Sequence, residues 1–144
     1  MADKITLDQI RSRKIEDVES SIGSGFTWPT TIDSDGTIGV SNGVDHIAAC
    51  IKRIVYYNHG DLVGTWQFGG GLSGRMFSVN SGSISAEVKE DLENALSVYE
   101  PRITDYRVIV AKKEDDATSL VVVLQYMISS TGEYSQLVFP VPKE

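Results

Sequence analysis

The chain has 144 residues and a formal net charge of −7 at pH 7, from 13 Lys and Arg against 20 Asp and Glu. Its length supports a hydrophobic core, and its 41% hydrophobic and 23% charged residues exclude a wholly disordered chain. The acidic balance argues against nucleic acid and anionic membranes as partners, and the single cysteine excludes a secreted disulfide scaffold. The longest apolar run, Leu120 to Leu124, is far shorter than a membrane span, so we expect a soluble protein made in a reducing compartment.

Residues 6–22 have the apolar spacing of an amphipathic helix, and the glycines that follow would end it. Its apolar positions share one face: Leu7, Ile10, Ile15, Val18 and Ile22. We assign residues 1–24 to an N-terminal helix or arm and residues 25–144 to the main domain. The helix is either a solvated amphipathic element or an arm that reaches a partner, and the sequence leaves both open.

Residues 26–43 are predicted to be irregular, with a turn at Asp35 and Gly36. Asp33 and Asp35 are spaced like the first ligands of a calcium loop. The twelfth position counted from Asp33 is Val44, however, where such a loop needs a glutamate. We therefore predict a turn and no calcium site.

A second helix is predicted over residues 44–58, because apolar residues recur there at helical spacing. Cys50 lies among them and is predicted to pack in the core. His46 and His59 are predicted to lie at surface or helix-end positions of this helix, too far apart to bind one metal ion.

Residues 64–82 hold six of the chain's 13 glycines, which predicts an ordered loop without regular structure. The stretch from Gly69 to Gly74 matches the pattern G-x-G-x-x-G. The residues after it do not resemble a helix whose N-terminus would hold a pyrophosphate, and no Gly-Lys-Ser/Thr sequence is present. We therefore predict no nucleotide site.

Residues 84–99 have the clearest helical pattern, and Pro101 is placed to stop that helix. Three strands are predicted beyond it, at residues 103–111, 119–129 and 135–141. The last of them contains Pro140, a residue confined to edge strands and strand ends. Short links between successive strands predict an antiparallel β-meander with the helices on one face. The predicted class is α+β, as a single compact domain with an N-terminal helix.

No set of residues indicates catalysis. Nucleophilic catalysis needs an activated nucleophile with an oriented base, and the two histidines offer little toward one. Glycoside hydrolysis needs two carboxylates at a set separation, which a sequence does not give. We predict no catalytic residues, no cofactor and no metal.

Three ordered stretches together resemble the motifs of the baseplate wedge and sheath-initiator family of contractile-tail phages and related contractile injection systems. They are residues 25–29 (Gly-Phe-Thr-Trp-Pro), residues 67–72 (Gln-Phe-Gly-Gly-Gly-Leu, similar to a Phe-Gly-x-Gly-Leu loop) and residues 99–103 (Tyr-Glu-Pro-Arg-Ile, similar to a helix-to-strand junction signature). The resemblance covers roughly residues 26–141. Where family members often carry Gly-Glu-Arg, this chain has Gly-Asp-Leu at residues 60–62, so a contact through that arginine is not carried over.

The resemblance implies a structural protein of the inner baseplate, located in the virion tail and assembled in the host cytoplasm. It implies that the first sheath ring docks by adding strands to the sheet, at the predicted strand 135–141 or 103–111. The implied partners are the tail sheath protein and the wedge proteins of the helical core bundle, with tube or hub proteins as further candidates. Whether the particle is a phage or another contractile injection system stays open.

The partner-binding residues that the resemblance implies come from two of the motifs: Glu100, Pro101, Arg102, Phe68, Gly69, Gly71 and Leu72. In this interpretation Pro101 fixes the turn between a paired Glu100 and Arg102, and the guanidinium binds a carboxylate or helix-end carbonyls of the bundle. The alternative is that the pair only caps the helix and braces the domain internally. A second alternative function is a lysozyme-like cell-wall hydrolase at the baseplate, because parts of the family are described with that activity.

Overall fold

The computed structural model describes residues 22–72, 74, 82–112 and 120–141. They belong to two compact units, one ending at Ala49 and the other beginning at Cys50. The predicted N-terminal helix, apart from Ile22, lies outside the described residues, and the proposed boundary after residue 24 stays a prediction. Within the part of the chain that the structure describes, neither helix has the length and apolar character needed to cross a bilayer.

The first unit contains a β-hairpin that the sequence analysis missed. Strand β1, Ser24–Phe26, pairs antiparallel with β2, Val40–Asn42, so that Phe26 lies opposite Val40. The ladder extends as an isolated bridge between Ile32 and Ile38. Strands of three residues, separated by a long connection, are too short to show the alternation that identifies a strand in a sequence.

The predicted turn at Asp35 and Gly36 is confirmed at the tip of this hairpin. The backbone N–H of Gly36 donates to the carbonyl of Asp33 at 2.9 Å. The Asp35 carboxylate accepts from both the backbone N–H and the hydroxyl of Thr37, at 3.0 and 2.6 Å, and these bonds lower the pKa of Asp35. The aspartate therefore serves the turn itself.

Helix α1 spans Gly43–Tyr56 and presents an apolar stripe at the spacing that the sequence predicted. Five of its side chains are buried: Ile47, Ala49, Ile51, Ile54 and Val55. The helix ends two residues earlier than predicted, because the Asp61 carboxylate accepts from the N–H of Asn58 at 2.8 Å and holds the chain in a loop there. The prediction that His46 and His59 share one helix is therefore wrong, since His59 lies beyond its end.

The second unit contains helix α2, Gly82–Tyr99, and a three-stranded antiparallel sheet of β3 (Ile103–Lys112), β4 (Leu120–Ile128) and β5 (Tyr134–Val141), in the order β3-β4-β5. The predicted α+β class and the meander are confirmed. One face of the sheet is buried, through Val108, Val122, Leu124, Tyr126 and Phe139. The end of α1 covers part of this face, since the rings of Tyr56 and Phe139 meet edge-on with centroids 5.8 Å apart.

Helix α2 packs against β3, and the two elements are also hydrogen-bonded. The Tyr106 hydroxyl donates to the carbonyl of Glu93 at 3.3 Å. By contrast, the fully buried Tyr126 hydroxyl has only an interaction with Ser135 outside ordinary hydrogen-bond geometry, and no other partner among the described residues. Burial is the main cause that raises its pKa. An unsatisfied hydroxyl in the core costs stability instead of adding to it.

We expect Tyr126→Phe to leave the free energy of unfolding unchanged or to raise it by up to about 1 kcal/mol, because the variant removes a polar group that gains no bond in the fold. Tyr106→Phe is the matched control, and it should cost about 0.5–1 kcal/mol because it removes a formed bond. Urea unfolding of the full chain measures both. A Tyr126→Phe variant less stable than Tyr106→Phe would contradict this account.

Candidate functional site

The junction between α2 and β3 carries the first set of predicted site residues. Glu100 follows the last residue of the helix, and its N–H donates to the carbonyl of Leu96 at 3.0 Å. Pro101 is exposed in the turn, and Arg102 directly precedes β3. The N–H of Ser129 donates to the carbonyl of Arg102 at 2.9 Å, so the far end of β4 fixes the same turn.

Glu100 and Arg102 form a bidentate ion pair across this turn. The Nε and Nη2 atoms of Arg102 donate to the two carboxylate oxygens of Glu100, at 2.5 and 2.6 Å. The Glu100 side chain is 1% exposed, whereas that of Arg102 is 31% exposed. A buried carboxylate is tolerated only with such a partner. The ion pair thus lies within the unit, and part of the Arg102 side chain is still exposed.

Cys50 adds a third group to the pair. The bonds to Glu100 are the main cause that raises the pKa of the Arg102 guanidinium above its ordinary value, and the Cys50 side chain adds to this effect, against the opposing effect of burial. The cysteine is half-buried, so it is a polar neighbour of the ion pair as well as a packing residue. Nothing in the order of the residues indicated this contact, because residues from α1 and from the junction meet only in the folded unit.

The second predicted motif, residues 67–72, lies across the end of α1. The N–H of Gly70 donates to the carbonyl of Ile54 at 2.6 Å, and that of Gly71 donates to the carbonyl of Tyr57 at 3.1 Å. The last carbonyls of a helix have no partner within it, so this loop satisfies groups that the helix leaves open. Gly69, Gly70 and Leu72 are buried.

Phe68 connects the two motifs. Its ring meets Tyr57 edge-on at 5.9 Å and Tyr99 at 5.0 Å between centroids. Tyr99 is the residue before Glu100, so the loop and the junction form one continuous region, which we call the junction site: residues 67–72 and 99–102. The motif at residues 25–29 belongs to the first unit.

The junction site offers hydrogen-bond donors and aromatic surface, and the described residues show no arrangement for metal binding. No group of three His, Cys, Asp or Glu side chains that could hold a metal ion occurs among them. A recess of about 240 Å³ lies beside the site, lined in part by His59, Gln67, Asp91 and Tyr99. It contains a single carboxylate.

Comparisons with known proteins give one consistent family. The sequence profile of the baseplate wedge protein gp25 family matches residues 41–133. A protein of solved structure named as a candidate tail lysozyme, from Geobacter sulfurreducens, is 30% identical, with coverage of 65% of this chain and 85% of that one and a TM-score of 0.57. No curated protein matches the sequence significantly.

Two further solved structures share the fold at low identity. A chain of the anti-feeding prophage baseplate is 16% identical, with 88% of this chain and 91% of that chain covered and a TM-score of 0.62. A chain of the baseplate complex from the type VI secretion system is 15% identical, with 64% and 88% covered and a TM-score of 0.51.

We expect Gly69→Ala to destabilise the fold by about 2 kcal/mol or more, because Gly69 has a φ of +111° and an added Cβ would overlap the Tyr57 carbonyl. Gly71→Ala is the matched control. Gly71 also has a positive φ, +66°, but open space around its Cβ position, so we expect a cost of about 1 kcal/mol. Thermal unfolding of both variants measures the difference, and equal losses would show that the close approach to Tyr57 is unimportant.

We expect Arg102→Met to cost about 3 kcal/mol, because it leaves the Glu100 carboxylate buried without its partner. The double variant Glu100→Met/Arg102→Met should recover most of that loss, because replacing both members of a buried pair by apolar groups is often close to neutral. Urea unfolding of the two variants measures the effect. A single variant as stable as the parent chain would show that solvent reaches the carboxylate.

Proposed function

The chain belongs to the family of baseplate wedge protein gp25, and we propose that it is a structural baseplate subunit that starts polymerisation of the contractile sheath by accepting a β-strand. The observation that supports this proposal is an open sheet edge. In the sheet of the second unit, β5 has β4 on one side and no further strand of the described residues on the other. An open edge is a template for another chain's backbone.

The register shows which groups of β5 are open. The N–H of Ile128 donates to the carbonyl of Glu133 at 2.9 Å. From Glu133 onward, every second residue therefore points its backbone N–H and C=O groups toward β4. The intervening residues direct their backbone groups outward: Tyr134, Gln136, Val138 and Pro140. Pro140 thus lies where its missing N–H removes no bond to β4, as expected of a proline in an edge strand.

The opposite edge of the sheet, β3, is a poorer template. Its pairing with β4 shifts between Thr104 and Arg107, and Asp105 there has a positive φ of 46°. A bulge of this kind disrupts the ladder and increases the local twist, which is a common protection of edges. Of the two strands that the sequence left open as docking sites, we therefore propose β5.

For attachment to the wedge proteins we propose the junction site. Arg102 uses Nε and one N–H of Nη2 for Glu100, and its side chain is still 31% exposed. Arg102 also interacts with Cys50, and the exposed part of its side chain, held in a fixed orientation by the Glu100 pair, suits carboxylates or helix-end carbonyls of a helical bundle. Gly69 and Leu72 are buried, so we propose that they support this surface from within, and that Pro101, Arg102 and Phe68 contribute to it directly.

We propose that the chain is not a hydrolase. Glycoside hydrolysis ordinarily needs two carboxyl groups that flank the bond. Glu100 has both oxygens bonded to Arg102 and is buried. Two recesses lined by described residues of the second unit contain one carboxylate each, Asp91 in one and Asp105 in the other. Purified protein that degrades peptidoglycan, and loses this activity in Asp91→Asn, would revive the enzymatic alternative.

We expect Val138→Pro to block sheath growth while baseplates still form, because it removes an outward N–H without breaking a bond to β4. Val138→Thr is the control, since it keeps the N–H and the β-branched shape. Negative-stain imaging of particles assembled with each variant measures the outcome as sheathed or bare tubes. Normal sheaths on Val138→Pro particles would exclude β5 as the docking edge, and missing baseplates would move the main role to wedge assembly.

The double variant Glu100→Met/Arg102→Met tests the wedge contact separately from folding. If it is as stable as expected, we predict reduced incorporation into baseplates because the guanidinium donors are gone. The measurement is the ratio of this subunit to other baseplate subunits in purified particles. Full incorporation of a stable double variant would show that the pair serves only as an internal brace.

A further inference from the structure

We propose that the solvent-facing side chains of the sheet select the residue pattern and register of the incoming strand. The inference rests on the proposed strand addition at β5. The strand would run antiparallel to β5, place a β-branched apolar residue opposite Val138 and place an Asn or Gln opposite Gln136. Antiparallel pairing is the arrangement of every ladder in the described chain and is the more stable one per residue.

The apolar part of this pattern comes from a row of side chains that crosses all three strands. Ile109 lies opposite Val123, and Val123 lies opposite Val138. Ile109 is 40% exposed and Val138 is 54% exposed, on the face of the sheet that the helices do not cover. Cross-strand pairs of β-branched residues stabilise a sheet. An added fourth strand would therefore pair most stably if it placed a residue of the same type in this row.

The polar part comes from the neighbouring row. Arg107 lies opposite Gln125, and Gln125 lies opposite Gln136. The side-chain amide of Gln125 donates to the Gln136 oxygen at 3.2 Å, which leaves the Gln136 amide N–H groups as donors toward the open edge. A neutral amide on the new strand can accept from them and extend the ladder. A carboxylate would accept too, but the chain's net charge of −7 disfavours an acidic arm.

A recess on this face provides room for that amide. It has a volume of about 470 Å³, and Arg107, Gln125 and Gln136 line it together with Tyr134. The recess lies on the polar row and not on the apolar one. A polar side chain that enters it finds hydrogen-bonding partners there, which distinguishes the two rows for an approaching strand.

The edge is also bounded at both ends, which limits the register. At one end, the Tyr134 hydroxyl donates to the Asp105 carboxylate at 2.6 Å. This bond spans the row in which Tyr134 lies opposite Met127, so that row is already occupied. At the other end, Pro140 offers a carbonyl but no N–H. Outward N–H groups come only from Tyr134, Gln136 and Val138 among the described residues of β5. These limits suit a short arm of about six residues.

The test uses the full chain and two short fluorescent peptides of identical composition. In the matched peptide Ile precedes Gln by two positions on a Thr background, so that the two face Val138 and Gln136 in antiparallel pairing. The swapped peptide exchanges Ile and Gln. Both peptides are titrated, by fluorescence anisotropy, against the parent chain and against the variant Gln136→Val/Val138→Gln, whose folding is checked by its thermal unfolding.

We expect the matched peptide to bind the parent chain about two- to thirty-fold more tightly, and the variant to reverse the preference. Equal affinities for the two peptides, or a preference that the variant does not reverse, would overturn the inference while leaving strand addition intact. Failure of both peptides to bind the folded parent chain would also overturn it. The proposed function is judged independently, by the sheaths of Val138→Pro particles.

Discussion

The buried carboxylate of Glu100 is the constraint that the rest of the second unit has to satisfy. A carboxylate that is 1% exposed must be satisfied inside the protein, and here one guanidinium does so with two bonds. The geometry of the pair fixes the angle at which the chain leaves α2 and enters β3. Cys50 from α1 contacts the same guanidinium, so three elements meet at one charge.

The surroundings of the pair are arranged around this constraint. Phe68 packs against Tyr99, and its loop satisfies the open carbonyls at the end of α1. Ser129 binds the Arg102 carbonyl from the end of β4. The exposed part of Arg102 is therefore connected, through hydrogen bonds and packing contacts, to both helices and to the sheet.

Periodicity accounts for most of what could be predicted about the fold. Both helices and all three strands of the meander have long, regular apolar patterns, and their bounds lie within a few residues of those predicted. The β1–β2 hairpin could not be predicted because its strands are too short to show a pattern. The end of α1 was misplaced because a side-chain bond from Asp61, and not the apolar spacing, decides it.

The site was predictable in part. The order of its motifs pointed to Glu100, Arg102 and the loop at residues 67–72, and the resemblance implied a pairing of the two charges across Pro101. The burial of the Glu100 side chain could not be predicted, because it depends on neighbours that are distant in the sequence. The same holds for the contact of Cys50 with Arg102 and for the ring of Phe68 on Tyr99.

Pro140 has a consequence for the protein before assembly. Two copies that met through β5 would each present a proline in the shared ladder, and each would lose the bond that its missing N–H cannot make. A strand of another chain that has no proline at this position loses only the one bond that Pro140 of β5 cannot make. Pairing of β5 with a second copy of itself would thus form fewer backbone hydrogen bonds than pairing with a strand that has no proline at this position.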